Sequence, residues 1–337
     1  MTGDGRATSV LHARGSMLAG SMRGTRCGED RLEGVFRMSG VSVDVDQQRI
    51  YALRRRFRRR KRLLAFTQQS TSYIVLAFGA VLIMIPFFWM VSTSLKEWSS
   101  LFLYPPQWIP RPVVWRNYVD ALTLVPFFTF LKNTCMITFT SLIGQVLSAS
   151  MVAFSFARLR WPGRDVIFII LLSTLMLPYE VTLIPKFMMF RALGWINTFK
   201  PLIVPDYFGG GAFLVFLLRQ FYMTIPAELD DAARIDGCST VGIWWRIMMP
   251  LAKPALGIVA IFGFQGHWND FMGPLIYLNS TEKFTLALGL NLFKNQYTAQ
   301  YQYIMAASLI VMLPLLVNFY IAQRYFVQGV VITGLKG

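Results

Sequence analysis

The stretch IPAELDDAARIDG, residues 225–237, is a polar interruption between two apolar segments, and it predicts a short helix with recognisable ends. Pro226 suits a first helical position, and the acidic residues after it favour the positive N-terminal end of a helix. Gly237 can supply a left-handed C-terminal stop. A helix of about ten residues is marginal alone in water. Its apolar and small residues recur at helical spacing and therefore predict a docking face, made of Leu229, Ala232, Ala233 and Ile235.

The composition around this stretch is that of a membrane protein with several spans. Of the 337 residues, 55% are hydrophobic and only 15% are charged, which excludes an ordinary soluble domain. A membrane-spanning helix needs about 20 largely apolar residues. The third candidate span is interrupted by Pro178 and Pro185, and the fourth contains the flexible glycines 209–211. The six candidates cover residues 73–94, 127–157, 165–189, 201–222, 255–278 and 301–324.

The charge distribution predicts the orientation of these spans. The net charge is +16, and 15 of the 33 Lys and Arg precede residue 73, most of them within residues 54–62. A basic run of this kind can resemble a nucleic-acid patch, but its position just before an apolar span favours a topology signal that contacts anionic lipid. With six spans, both termini are then expected in the cytoplasm. The same orientation puts the 225–237 loop in the cytoplasm.

We expect two regions, a basic and largely disordered cytoplasmic extension over residues 1–62 and a membrane domain over residues 63–337. The first 37 residues lack the apolar core of a secretory signal, and they have the Gly-, Ser- and Arg-rich composition of a disordered tail. Both Met1 and Met38 are candidate translational starts. Within the membrane domain, residues 224–254 form the cytoplasmic loop of interest.

Several kinds of chemistry have no support in the sequence. The three cysteines are scattered and odd in number, so no disulfide framework or zinc spacing follows. With two histidines, His12 and His267, a histidine-rich metal site is not expected. The sequence has no G-x-x-x-x-G-K-[ST] phosphate loop and no arguable Ser/His/Asp or Cys/His set. We therefore expect no metal, no cofactor and no enzymatic activity in this chain itself.

The residues from Asp231 to Pro250 resemble the EAA loop of ABC-importer permeases. The matching elements are Asp231-Ala232-Ala233, then Asp236-Gly237, then Ile247-x-Met249-Pro250. This chain has Asp231 where that family has Glu, and Met249 where Leu is common. In the family, this loop is a coupling helix that sits in a groove of a cytoplasmic ATPase. The resemblance thus implies an ATPase-coupling role for Glu228, Leu229, Asp231, Ala232, Ala233, Asp236, Gly237 and Pro250.

The resemblance extends over about residues 70–337 and is to MalG-type carbohydrate ABC-importer permeases. It implies an all-α membrane protein with six transmembrane helices in the type I importer (MetI/MalG-like) fold, located in the bacterial inner membrane. It also implies a binding-protein-dependent, ATP-driven importer for a sugar or oligosaccharide. The expected partners are an ABC ATPase dimer that holds ATP and Mg²⁺, a second homologous permease, an external solute-binding protein and membrane lipid.

The alternative function is an ATP-independent channel or secondary transporter. Six spans and an ionisable residue within one of them, Asp270, would allow it. Secondary transporters often show inverted repeats and broken helices in both halves, and the sequence displays neither. A secondary transporter also has no need for an amphipathic docking loop.

Polar residues in the fifth candidate span predict a substrate pathway. Trp268, Asn269 and Asp270 combine a flat apolar face with hydrogen-bonding groups that suit sugar hydroxyls, and this segment resembles carbohydrate-type members of the family. The alternative is hydrogen bonding between helices of the bundle. Glu180, next to Pro178 in the third candidate span, is either a second pathway residue or a carboxylate near the outer end with access to water.

Two further segments carry partner predictions. The Pro- and Trp-rich segment over residues 95–125 fits an external loop that either faces the solute-binding protein or anchors at the membrane interface. The C-terminal segment from Gln323 to Gly337 resembles that of MalG-type permeases. It predicts an extended peptide, and either an ATPase contact or a frayed terminus, through the final residues Gly334, Leu335, Lys336 and Gly337.

Overall fold

The computed structural model describes residues 66–294 and 299–334, with side chains described as far as residue 323. The expected basic extension over residues 1–62 lies outside the described residues, so the two-region prediction stays a prediction. The chain divides into two units, Met1–Ile83 and Met84–Gly337. Helix α1, Phe66–Ser94, begins in the first unit and is a continuous apolar helix of 29 residues. At 1.5 Å per residue it is about 44 Å long, enough to cross a bilayer.

The second unit is helical, and its described residues contain no β-strand apart from an isolated bridge between Lys294 and Ala299. The α-helices after α1 are α2 Arg116–Thr123, α3 Phe127–Arg158, α4 Arg164–Ser173, α5 Tyr179–Ala192, α6 Lys200–Ile203, α7 Ala212–Thr224, α8 Glu228–Ile235, α9 Thr240–Ile243, α10 Met249–Leu251, α11 Lys253–Trp268, α12 Met272–Tyr277, α13 Leu286–Gly289 and α14 Tyr301–Gly334. Short 3₁₀ segments cover Trp98–Ser100, Thr174–Met176, Val204–Tyr207, Thr281–Lys283 and Leu290–Phe293, and Trp244–Met248 is a π-helical turn.

Four helical segments are long and apolar enough to cross a membrane, and the number rises to six if each of two bent pairs counts as one span. The four are Phe66–Ser94, Phe127–Arg158, Lys200–Thr224 and Tyr301–Gln323. The bent pairs are Arg164–Met176 with Tyr179–Ala192, which meet at 103°, and Thr240–Leu251 with Lys253–Trp268, which meet at 82°. The predicted all-α, six-span architecture is confirmed in this sense, but two spans differ from their expected form.

The third predicted span is broken at Pro178 and continues through Pro185. Leu177 has extended backbone angles, as expected for a residue whose helical conformation is blocked by a following proline. Pro178 then caps the N-terminus of α5, in which Pro185 is an interior residue.

The fifth predicted span was expected to run from residue 255 to 278, and this was wrong at its C-terminal end. Helix α11 ends at Trp268, and the chain turns through residues 269–271 before α12 begins at Met272. At the other end, a helical segment over Thr240–Leu251 precedes α11 at a bend of 82°. The expectation that the chain has no broken helices is therefore also wrong.

Helix α3 is the central element of the second unit, and it packs against α7, α11 and the 3₁₀ segment Val204–Tyr207. Its buried positions include many small and hydroxyl-bearing residues, which let neighbouring helices approach closely. They include Thr134, Thr138, Ser141, Gly144, Ala149, Ser150 and Ala153. One apolar cluster joins the end of α3 near Arg158 to α7, α8 and α11.

The C-terminal segment differs from the predicted extended peptide. Helix α14 continues from Tyr301 to Gly334 without a break. The reason is that residues 325–332 are mostly apolar and contain one glycine, Gly329, and a single glycine costs a helix only about 1 kcal/mol. Residues 335–337 lie outside the described residues, so their predicted ATPase contact stays a prediction.

Candidate functional site: the segment over residues 224–254

The predicted docking helix exists as α8, Glu228–Ile235, and its C-terminal stop is at Gly237 as predicted. Gly237 has a φ of 79°. The Gly237 amide donates to the Arg234 carbonyl at 3.0 Å, and the Cys238 amide donates to the Ala233 carbonyl at 2.9 Å. These two bonds form a Schellman motif, in which the glycine takes the left-handed position. The helix end is therefore fixed by backbone bonds of its own.

The predicted position of Pro226 as the first helical residue is wrong. Ile225 is extended, with ψ of 133°, which is the conformation favoured before a proline. Ala227 is the N-cap, and Glu228 is the first residue of the helix. Three acidic residues then occupy the first turn, Glu228, Asp230 and Asp231, where they complement the helix dipole.

The two faces of α8 have different surroundings. Asp230 and Ala233 are buried against the rest of this chain, with Ala233 only 8% exposed. The residues of the opposite side are open, with Leu229 42% and Ile235 86% exposed. The open side also carries Glu228, Asp231, Ala232 and Asp236. The predicted single face of Leu229, Ala232, Ala233 and Ile235 is thus divided, because Ala233 already packs inside the chain.

A buried ion pair holds α8 to the end of α3. The Arg158 Nε lies 3.3 Å from the Asp230 Oδ2, and each side chain is only 9% exposed. The Arg158 guanidinium also donates to the Ile225 carbonyl at 2.5 Å. Burial raises the pKa of the Asp230 carboxyl, and the positive charge of Arg158 opposes that rise. Arg158 therefore bonds to both the segment before α8 and the helix itself.

A second buried contact ties the segment after α8 to the same helix. The Trp244 indole Nε1 donates to the Ser150 Oγ at 2.9 Å, and the Ser150 hydroxyl is 2.7 Å from the Tyr222 hydroxyl. Tyr222 is the residue of α7 that lies two positions before its end. This group links α3, α7 and the π-helical turn Trp244–Met248. Pro250 follows in α10, and the chain then bends into α11.

The predicted pathway residues do not come together. Trp268 is buried, donates to the Val311 carbonyl at 3.0 Å and stacks on Phe264, so it packs between helices. Asn269 is exposed and donates to the Gln265 carbonyl. Glu180 is exposed in the first turn of α5. Asp270 alone among the four lines a cavity, and its Oδ1 accepts from the Gly273 amide at 3.0 Å.

The sequence analysis did not identify the residues that hold the 224–254 segment in place. The sequence patterns singled out none of Arg158, Ser150 and Trp244. The partners Arg158 and Asp230 are 72 positions apart, so no local pattern joins them. The usable signal was Asp230 itself, an acidic residue three positions before the small residue Ala233 and therefore on the same side of the helix.

With this geometry in place, comparisons with known proteins assign the class. The family described as binding-protein-dependent transport system inner membrane component matches residues 50–332. A relative from Halalkalibacterium halodurans, named arabinooligosaccharides transport system permease protein AraQ, is 34% identical over 229 residues, covering 68% of this chain and 81% of the relative. The galactooligosaccharides transport system permease protein GanQ of Bacillus subtilis is 32% identical over 271 residues, covering 79% of this chain and 95% of the relative.

A solved structure shares the fold. It is the crystal structure of a bacterial ABC transporter involved in the import of the acidic polysaccharide alginate. One chain of it matches with a TM-score of 0.67 and 23% identity, covering 76% of this chain and 95% of that chain. At this identity the match establishes the fold alone.

This chain belongs to the family of inner-membrane components of binding-protein-dependent transport systems. It is a multi-pass inner-membrane permease subunit of an ATP-driven importer, and the alternative of an ATP-independent channel or secondary transporter is set aside. It is a transport subunit and not itself an enzyme. The family implies two kinds of partner, an ATPase and a substrate-binding protein.

Proposed function

We propose that this chain is the permease for a sugar or oligosaccharide and that it couples to a separate ATPase through residues 226–237. Relatives of this chain are named for the transport of arabinooligosaccharides and galactooligosaccharides, and this supports a sugar as its substrate. The complete importer would contain an ATPase dimer holding ATP and Mg²⁺, a second homologous permease and an external solute-binding protein. The chain itself would hold no cofactor, and both its termini would lie in the cytoplasm.

The division of α8 into two faces carries the coupling proposal. One face packs inside the chain through Asp230 and Ala233, and the other presents Leu229, Ala232 and Ile235 to the surroundings. An exposed apolar side chain such as Ile235, on a helix whose other side is already fixed, is what a groove on a partner requires. Glu228, Asp231 and Asp236 would border this contact.

Movement of α8 would pass to the rest of the chain through three connections. The Arg158–Asp230 pair leads into α3, the Trp244–Ser150 bond leads into α3 and α7, and Pro250 with the following bend leads into α11. The ATPase dimer would move α8 as it closes on ATP, and the helices would move with it. ATP and the loaded binding protein would favour one state only through a difference in affinity between states.

Site-specific photo-crosslinking in the complete importer tests both the coupling and the orientation. A photoreactive amino acid at Ile235 should give an adduct with the ATPase. The same amino acid at Tyr104, which is 94% exposed in the predicted external loop, should give an adduct with the binding protein and none with the ATPase. An ATPase adduct at Tyr104, or a binding-protein adduct at Ile235, would contradict the proposed orientation.

The substrate is tested in proteoliposomes that contain the subunits co-purifying with this chain in mild detergent. A panel of tritiated neutral di- and trisaccharides should include one that is accumulated when ATP is inside and the binding protein outside. Accumulation of no sugar, together with accumulation of an amino acid or a peptide, would overturn the sugar assignment and leave the importer class intact.

A further inference from the structure

Three interrupted segments of the second unit meet at a cavity of about 420 Å³. The first interruption is at Pro178, and Tyr179 lines the cavity. The second is the 3₁₀ segment Val204–Tyr207, from which Asp206 lines it. The third is the turn between α11 and α12, which contributes Asp270. Each interruption falls within or at the end of a candidate span.

Interrupted backbone in a membrane region is tolerated where it is buried in protein or lines an aqueous cavity. Discontinuous helices commonly form substrate sites in transporters for this reason. Three such interruptions converge on one cavity here, and its volume is within the roughly 300–1,000 Å³ of small-molecule sites. The backbone geometry therefore marks this cavity as a place for a ligand, independently of its side chains.

The polar side chains of the cavity are not fully paired. The His267 Nε2 is buried and lies 3.7 Å from the Asp206 Oδ2, and it has no hydrogen-bond partner among the described residues. Asp270 and Lys186 also line the cavity, and the Lys186 ammonium is 5.4 Å from the centre of the Tyr179 ring. Ionisable groups in membrane segments are costly unless they face a partner or a water-filled path.

The remaining lining is aromatic. Trp195 stacks on Phe190 with ring centres 5.6 Å apart, and Tyr277 packs edge-on against the same Phe190. Both Trp195 and Tyr277 line the cavity together with Tyr179. Carboxylates accept hydrogen bonds from hydroxyl groups, and aromatic rings supply flat apolar surface. The two carboxylates outnumber the single ammonium, which disfavours an anionic ligand.

From these observations we infer that this cavity is a binding site on this chain for a neutral, polyhydroxylated ligand. Asp206 and Asp270 accept hydrogen bonds from its hydroxyl groups, His267 contributes a further polar contact, and the aromatic residues contact its ring faces. This inference rests on the proposed function, because the ligand it names is the transported sugar. It adds a direct contact between that sugar and this permease subunit.

The test uses the complete importer in proteoliposomes, with a tritiated neutral trisaccharide that the wild type accumulates. Asp206→Asn and Asp270→Asn are each expected to lower sugar uptake about tenfold, because a charged acceptor becomes a neutral one. The Asn oxygen at position 270 can still accept from the Gly273 amide, so the turn is retained. ATPase stimulation by the loaded binding protein, and recovery of the assembled complex, should stay at wild-type levels.

Glu282→Gln is the matched control, since Glu282 is an exposed carboxylate that does not line the cavity. Its uptake should equal that of the wild type. A second pair guards against misfolding of the polar variants. Met189→Trp should fill part of the cavity and reduce uptake, whereas Met188→Trp, on an exposed neighbour outside the lining, should not.

The outcomes separate this inference from the proposed function. Wild-type uptake of a neutral sugar that Asp206→Asn, Asp270→Asn and Met189→Trp leave unchanged would overturn the cavity assignment and keep the sugar function. Absence of wild-type uptake for every sugar, with uptake of another solute, would overturn both. Uptake of a uronic-acid trisaccharide at the rate of its neutral counterpart would contradict the charge selectivity.

Discussion

Buried charges have different partners in the proposed coupling segment, residues 224–254, and in the cavity. At the coupling segment, Asp230 and Arg158 face each other at 3.3 Å, so one negative charge meets one positive charge within the same chain. In the cavity, Asp206 has His267 at 3.7 Å, and Asp270 accepts from a backbone amide. The first region opposes one negative charge with one positive charge, and the second combines two carboxylates with Lys186 and the unpaired His267 Nε2.

On the functions proposed above, this difference separates a region that would transmit movement from one that would receive a ligand. A matched and buried pair resists separation, because either partner left alone would be an uncompensated buried charge. Such a contact makes two segments move together. A cavity lined by two carboxylates and the unpaired His267 Nε2, by contrast, can form hydrogen bonds with a ligand that enters it. Variants that remove the contacts between the coupling segment and α3 should therefore lower both stability and coupling.

The largest effect is expected from breaking the buried ion pair. Arg158→Gln should leave Asp230 as an unpaired buried carboxylate, at a cost of about 3–5 kcal/mol. We expect lower thermal stability of the complex in detergent and loss of transport with ATP hydrolysis partly retained. The measurements are a melting curve and the ratio of solute transported to ATP hydrolysed.

Reversal of the pair provides the matching control. The double variant Arg158→Asp with Asp230→Arg should recover part of the transport that either single variant loses. Arg160→Gln, on an exposed residue two positions away, should change little. If the double variant is as defective as the sum of its singles, the two side chains are not coupled.

A smaller effect is expected at the end of α8. Gly237→Val places a β-branched residue at a φ of 79°, which costs about 1–3 kcal/mol. Because the Schellman motif would be distorted, α8 should lose its fixed orientation, and ATP hydrolysis should become uncoupled from transport. Gly237→Asn should be milder, since Asn tolerates the left-handed conformation. Equal coupling ratios in Gly237→Val and the wild type would show that this helix end is not needed.

The Trp244–Ser150 hydrogen bond should contribute less to stability than the Arg158–Asp230 ion pair. Ser150→Ala removes the acceptor of the Trp244 indole and leaves its N–H buried, with an expected cost of about 1–3 kcal/mol. The expected result is a lower melting temperature with normal ATPase binding. Ser155→Ala, one turn further along α3, serves as the control. A melting temperature unchanged from wild type would indicate that Trp244 finds another acceptor.

The smallest effect concerns the C-terminus. Deletion of residues 330–337 should weaken ATPase association without dissociating it, if the tail contacts the ATPase as the family resemblance implies. The measurement is the ATPase recovered with the permease after washing, beside the ratio of transport to ATP hydrolysed. If both stay at the wild-type level, the tail has no coupling role.

The sequence was sufficient for the number of spans, the helical class and the C-terminal end of helix α8. Gly237 could be assigned its left-handed backbone because a glycine directly after an amphipathic run has few other uses. The start was misplaced because Pro226 is compatible both with a first helical position and with the extended segment before it. Local chemistry could not decide between these two.

The breaks and the long-range partners could not be predicted. An apolar window specifies that a segment is buried in lipid or protein, but it gives no sign of a bend. Pro178 was visible as a breaker, whereas the turn at residues 269–271 contains no proline or glycine. Asp206 precedes three glycines in the fourth span and could have been singled out for that reason. Its proximity to Asp270 depends on how the helices pack.

On the proposed docking of α8 to the ATPase, its two faces also belong to two different evolutionary partnerships. Asp230 and Ala233 fit surfaces encoded in the same gene, so substitutions there must be compensated within this chain. Leu229, Ala232 and Ile235 are open to the surroundings, and their compensating changes would lie in a different gene, that of the ATPase. Grafting these three side chains onto another permease should therefore transfer ATPase preference while leaving the recipient's own helix packing intact.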